Sequence, residues 1–349
     1  MNESINSRPP DFNNLLRILN RQKPDRPTLF EFFLNSPLYK KLSGPDFTVD
    51  YTPVAQMRML LAAFRAAGYD YATVGGSSLH FASGERTHGS SVSMNEGSVI
   101  HDRASFNAYS WPDPDACDYS ALKAIRPDLP AGMKLIVAGP GGVLENVMNL
   151  VGYEDTCYLT LDDPKLAADI FGAIGSRLVR HYQIAGSYDT VGAMISNDDW
   201  GFKSQPMLSP AAMREFVFPW HRKIVQAIHD AGRPAILHSC GNLAEVMDDI
   251  IDDLKYDGKH SYEDTIQPVE QAYDQYHQRI AIMGGIDLDF VCRSTPAQVR
   301  QRSMAMLERS ARDGSYALGT GNSVPEYVPP ANYFAMVGAA TGLDYTPFL

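Results

Sequence analysis

Gly232-Arg233-Pro234-Ala235-Ile236-Leu237-His238-Ser239-Cys240-Gly241 decides the fold. Its first glycine suits the left-handed position that closes a helix. The apolar run that follows is too short for a helix and fits a buried strand. His238 and Cys240, two apart, face the same side of an extended chain, and Gly241 permits a tight turn after them. The same unit recurs along the chain. Ala66-Ala67-Gly68 precedes Tyr69-Asp70-Tyr71-Ala72-Thr73-Val74, Gly186 precedes Thr190-Val191-Gly192-Ala193-Met194-Ile195, and Gly314 precedes Tyr316-Ala317-Leu318-Gly319. Helix starts repeat as well: Asp163-Pro164, Ser209-Pro210 and Thr295-Pro296 each set a capping side chain before a proline suited to the first helical turn.

Further strands are expected at 28–33, 135–138 and 280–283, with a weaker one at 255–260, making eight in all. Alternating strand and helix implies a parallel sheet, and eight such units imply a closed (β/α)8 TIM barrel, an α/β fold. The stretch 75–132 is too long and too poor in helical pattern for one crossover. It is expected to be an insertion between strands 2 and 3, with a hairpin, covering part of the barrel mouth. The alternative is a doubly wound open sheet; no GxGxxG follows the first strand, which argues against its dinucleotide-binding form. Residues 1–10 are expected to be a disordered tail and 11–349 a single barrel domain. That domain begins with a short helix bearing Phe12, Leu15, Leu16 and Leu19 at helical spacing, with Asp11 as its cap.

Composition narrows the function classes. The 349 residues are 44% hydrophobic, ample for a sizeable core, and carry a net charge of −11 without any Lys/Arg run, which argues against nucleic acid. No stretch of about 18 apolar residues predicts a membrane span, and the polar start shows no signal-peptide core. The four cysteines lie outside CxxC spacing, so a reduced, cytoplasmic protein is expected.

In such barrels the chemistry lies where the strands end. The expected strand ends carry Glu31, Asp198 with Asp199, His238 with Cys240, His260 with Glu263, Asp287, and Thr320 with Asn322. Imidazole and thiolate are both good zinc ligands; a core histidine beside a buried free cysteine is the competing reading. Asp198 and Asp199 are candidate bases, ligands or loop caps. Asp287, after Gly284-Gly285-Ile286, is either a mouth carboxylate or a plain cap. Trp200 and Tyr262 are candidate walls of a substrate pocket. His80, His88 and His101 read as scattered loop histidines, and Met57-Arg58-Met59-Leu60-Leu61 as helix core.

Taken together, Asp198-Asp199-Trp200-Gly201, Leu208-Ser209-Pro210, Phe216-Val217-Phe218-Pro219, His238-Ser239-Cys240-Gly241, Gly284-Gly285-Ile286-Asp287 and Pro329-Pro330-Ala331-Asn332 resemble, in order and spacing, the uroporphyrinogen decarboxylase superfamily, which also contains cobalamin-dependent methyltransferases. The decarboxylase branch grips its tetrapyrrole carboxylates with an Arg-rich N-terminal segment. Phe30-Glu31-Phe32-Phe33-Leu34-Asn35-Ser36 has no arginine, which points away from that substrate. The methyltransferase branch uses the His and Cys of HxCG as zinc ligands, which maps onto His238 and Cys240, and takes a third from a Cys near the end of strand eight. Here that place holds Thr320. His260 is the first choice for the missing ligand, with Glu31 and Asp287 behind it.

The resemblance therefore implies a zinc-assisted methyl transfer, or O-demethylation, between a small organic substrate or thiol and a corrinoid supplied by a partner protein. Asp198, Asp199 and Asp287 would be the catalytic groups, and Glu31, Trp200, Tyr262 and Asn322 would bind substrate. A homodimer is expected because family members often form one. The rivals are a metal-independent decarboxylase or lyase acting on a small acid, and a non-catalytic barrel that binds a corrinoid or tetrapyrrole.

Overall fold

Seven parallel strands form one sheet in sequence order: β1 (Tyr71–Gly75), β2 (Lys134–Ala138), β3 (Val191–Asn197), β4 (Ala235–His238), β5 (Gly258–His260), β6 (Ala281–Met283) and β7 (Tyr316–Ala317). The computed structural model describes residues 8–44, 52–84 and 94–349. The strands are near-continuous apolar runs because helices cover their outer face, leaving little solvent side to pattern; Val191, Ala193, Met194 and Ile195 of β3 are all fully buried.

The sheet curls until both edges reach one segment, residues 28–33. Leu29 forms a parallel bridge with Leu318, just past β7. Phe30 N donates to Leu318 O and Leu318 N to Thr28 O, each at 2.8 Å. Towards β1, the Tyr71 hydroxyl donates to Glu31 O at 2.8 Å and accepts from Glu31 N at 2.7 Å. The strand expected at 28–33 is thus corrected to a single bridge. Side-chain hydroxyls of β1 take the backbone groups of Glu31 that a ladder would have used.

The predicted caps form. Asp163, Ser209 and Thr295 accept from the backbone N–H of Leu166, Ala212 and Gln298. Gly186, expected just past a helix, is instead the last residue of helix Pro164–Gly186; it is small because a Cβ there would meet Ala231 Cβ at 2.7 Å. Between β1 and β2 the described residues form short helices, including Arg103–Ala108 and Ser120–Ala124, and no strand. The hairpin expected there is not found among them, and His88 lies outside the described residues.

Of the expected tail, residues 1–7 lie outside the described residues. Arg8 is tied down: its guanidinium donates to Pro27 O at 2.6 Å and lies 3.7 Å from the Asp70 carboxylate. The leading helix is Asn13–Leu19, and its apolar side seals the end of the sheet opposite the strand tips. A Cβ on Gly258, at the start of β5, would meet Leu19 Cδ2 at 2.8 Å. Met57 and Leu61 are buried on helix Pro53–Ala66, as expected. Among the described residues no helix is long and apolar enough to cross a membrane.

Candidate active site

Register, rather than sequence proximity, assembles the site. Asn197 at the tip of β3 aligns with His238 at the tip of β4, and His238 aligns with His260 at the tip of β5. The two loops that follow β3 and β4 then cross backbone to backbone. Gly241 has φ 83°, and a Cβ on it would lie 2.1 Å from Gly201 O, so only glycine permits the crossing. Asn242 N donates to Phe202 O at 2.7 Å, and Trp200 N donates to Ser239 Oγ at 3.1 Å. The same crossing brings Asp199 Oδ1 within 2.8 Å of Cys240 N.

One ligand atom each from Asp199, His238 and Cys240 lies within 4.8 Å of the others. His238 Nε2 and Cys240 Sγ are 3.9 Å apart. A tetrahedral zinc with usual bond lengths would hold a nitrogen and a sulfur about 3.6 Å apart, so this pair fits such an ion with little movement. The donor set, one imidazole, one thiolate and one carboxylate, is also one that zinc accepts.

Hydrogen bonding fixes the protons. His260 Nε2 lies 3.1 Å from Thr320 O; a carbonyl only accepts, so Nε2 carries the proton. Burial holds His260 down to about 3, so the ring is neutral and its Nδ1 accepts. His238 Nδ1, 2.8 Å away, must then donate, which leaves the lone pair on His238 Nε2, the nitrogen near Cys240. Burial, and then His260 and Lys259, push His238 well below its ordinary value. This is the tautomer a metal needs. Phe32 packs on the His238 ring at 4.4 Å between centroids. Asn322 Nδ2 donates to Cys240 Sγ at 3.2 Å, with Ser261 Oγ at 3.9 Å. Burial, and then the Asp199 charge, push the free Cys240 thiol up to about 12.

Residues 13–343 match the family model described as uroporphyrinogen decarboxylase (URO-D). The chain belongs to the URO-D family. A curated relative, the methylated-thiol–coenzyme M methyltransferase of Methanosarcina mazei, is 25% identical over 192 residues, 55% of this chain and 48% of its own; the match thus spans about half of that relative's length. A solved methyltransferase from M. mazei superposes with TM-score 0.73 at 15% identity, covering 94% of this chain and 97% of that one. A putative vitamin-B12-independent methionine synthase from Listeria monocytogenes gives TM-score 0.50 at 12% identity, covering 91% and 99%. At these identities the two structures speak for the fold alone.

Within this URO-D member the structure redistributes several expected roles. His260 lies outside the cluster, with its nitrogens committed to His238 and Thr320; Asp199 is the third member of the cluster. Asp198 separates from its neighbour. It is fully buried, accepts from Leu144 N and Glu145 N at the start of helix Val143–Val151, and meets His221 Nε2 at 2.8 Å. Asp287 caps helix Leu288–Arg293 through Phe290 N and also accepts from Asp264 N. Trp200 is fully buried against Phe218 and His221, so it is core and not a pocket wall. His221 escaped the sequence reading because a histidine inside a helix carries no spacing signal.

Glu31 does not reach the cluster either. It is fully buried, with Oε1 accepting from Thr320 N at 2.8 Å and Oε2 2.6 Å from Thr320 Oγ1. The Thr320 hydroxyl also donates to Asn322 O. It has one proton and a carbonyl cannot donate, so Glu31 supplies the proton between Oε2 and Thr320 Oγ1 and is the neutral acid. Burial pushes it from 4.5 to about 8 in agreement. Because the folded value lies above the unfolded one, its contribution to stability is full below about 4.5 and declines as pH rises to about 8. Glu31→Gln, whose amide can make the same two bonds, is expected to fold and to flatten that part of the stability-against-pH curve. Urea unfolding at pH 5 and pH 8 checks this: an unchanged slope would refute the neutral Glu31.

Beside the cluster, between the loops after β4 and β5, lies an open pocket of about 180 Å³. Tyr262, an expected substrate residue, lines it together with Lys259, Asn242 and Gln271.

Proposed function

We propose that this chain is a methyltransferase on a (β/α)8 barrel, with residues 28–33 in the eighth place. Asp199, His238 and Cys240 hold a zinc ion, and the methyl group passes between a small organic substrate or thiol and a corrinoid carried by a separate protein. The observation that carries the reading is the convergence of three different donor atoms within 4.8 Å at the strand tips. Family membership and the names of the relatives support methyl transfer as the reaction class.

Bound there, zinc supplies Lewis acidity, which lowers the pKa of a thiol or polarises the oxygen of a methyl ether. The protein's own groups prepare the site. Thr320 O, acting through His260, keeps the His238 Nε2 lone pair free. Asn322 and Ser261 donate to Cys240 Sγ and favour its thiolate, which burial alone disfavours. A cation is therefore what makes Cys240 a ligand at neutral pH. Asp199 contributes a carboxylate while its Oδ1 also holds the Cys240 loop. The absence of arginine from residues 30–36 weighs against a multi-anionic tetrapyrrole as substrate, and four free cysteines suit a reducing compartment.

Elemental analysis of protein purified without chelator tests the reading. The expected result is about one zinc per chain, with Asp199→Ala, which removes a ligand, weakening zinc binding by more than the roughly 10- to 100-fold that loss of an outer-shell partner costs. Methyl transfer by metal-free protein would end it.

A further inference from the structure

The pocket beside the cluster holds a buried cation that makes no ion pair among the described residues. Lys259 is 3% exposed. Its Nζ donates to Ser261 O at 2.6 Å and lies 4.3 Å from the centroid of the Tyr262 ring. An ammonium has three protons to give, and among the described residues Lys259 makes no ion pair. Glu263, the acid that lines the same pocket, makes no salt bridge with it, and Cys240, Asp199 and Glu263 act on it only through space. A buried charge without a contacting counter-charge is costly, and folds normally pair it or neutralise it. Tyr262 is 4% exposed, and its hydroxyl has no partner among the described residues. Both residues line a pocket that is open to solvent and bordered by the amides of Asn242 and Gln271. A cation with protons to spare, an aromatic ring and amide donors around one small cavity are the complement of an oxyanion.

We propose that this pocket is a subsite for the oxyanion end of a small organic acid, a carboxylate, sulfonate or phosphate, with Lys259 as its counter-charge. Ser261 belongs to both places: its carbonyl holds Lys259, and its hydroxyl lies 3.9 Å from Cys240 Sγ. An acid anchored at Lys259 would thus extend its other end towards the cluster. That the bound acid is the methyl donor or acceptor rests on the methyltransferase reading; the anion subsite itself does not.

Titration calorimetry on the full chain with acetate, methanesulfonate and inorganic phosphate tests the subsite and separates the three chemistries. At least one anion is expected to bind wild-type protein at one site per chain. Lys259→Met is expected to weaken that anion by about tenfold or more. Removing a buried, unpaired charge should not impair folding, and Lys259→Gln provides a second, polar replacement expected to behave alike. Cys240→Ala, which disables the metal cluster, should bind the same anion within about twofold. Three results would overturn the proposal: no anion binds the wild type, both Lys259 variants bind as well as the wild type, or binding disappears in Cys240→Ala because the anion was sitting on the metal. Protein that carries no zinc when purified without chelator, yet still binds the anion, would sink the zinc-assisted methyltransferase reading and leave this one standing.

Discussion

On the proposed zinc site, His238→Ala and Cys240→Ala are each expected to abolish zinc binding and to lower kcat/KM for the proposed methyl transfer by about 10³-fold or more, with the fold retained. The size follows from what a metal supplies. Lewis-acid stabilisation is worth several kcal/mol, and about 1.4 kcal/mol is tenfold in rate. The fold should survive because both side chains sit at the strand tips, beyond the apolar run Ala235-Ile236-Leu237 that builds the core. His260→Ala supplies the contrast. It removes no ligand but frees His238 Nδ1 from the acceptor that sets its tautomer, so zinc affinity should fall by about 10- to 100-fold. Zinc dissociation constants by chelator competition, with circular dichroism to certify folding, check the order. Equal losses for His238→Ala and His260→Ala would mean that both histidines bind the metal, and the tautomer argument would fail.

That contrast also marks what the sequence could carry. The strand-end position of His238 and Cys240 was legible because period-two spacing puts both on one face and Gly241 breaks the chain after them. The third donor was not. His260 and Asp199 both lie at expected strand tips, and the choice between them depends on Thr320 O taking the His260 Nε2 proton, a contact across 60 residues. Thr320 could be seen to lack the sulfur of the resembled family. Its pairing with Glu31 could not, since it requires the 28–33 segment to lie against β7. The same segment misled the strand count: its pattern is that of a buried strand, but the Tyr71 hydroxyl occupies the backbone of Glu31. Asp198 and Asp199 are adjacent in sequence and look equivalent; only the helix start at Leu144 and Glu145 separates the cap from the member of the cluster.

Gly241→Ala is expected to destabilise the protein by about 3 kcal/mol and to weaken zinc binding by tenfold or more. Two costs of separate origin combine. A non-glycine residue at φ 83° is strained, by about 1–3 kcal/mol. The new methyl would also lie 2.1 Å from Gly201 O and 2.2 Å from Gly201 C. These are backbone atoms that cannot rotate aside, and overpacking of this kind costs about 1–3 kcal/mol. The loops must separate to accommodate it, and they are the loops that carry Asp199 and Cys240. Separation stretches the bond from Cys240 N to Asp199 Oδ1 and pulls two of the three donors apart, so the metal loss is a mechanical consequence of the crossing. Gly232→Ala isolates the conformational part. Gly232 also has a positive φ, 69°, but a Cβ there meets nothing within 4 Å. It should cost about 1 kcal/mol and leave zinc affinity untouched. Chemical denaturation and zinc titration of the two variants separate strain from clash. If Gly241→Ala behaves like Gly232→Ala, the crossing does not hold the cluster together, and Asp199 must be brought to Cys240 by some other constraint.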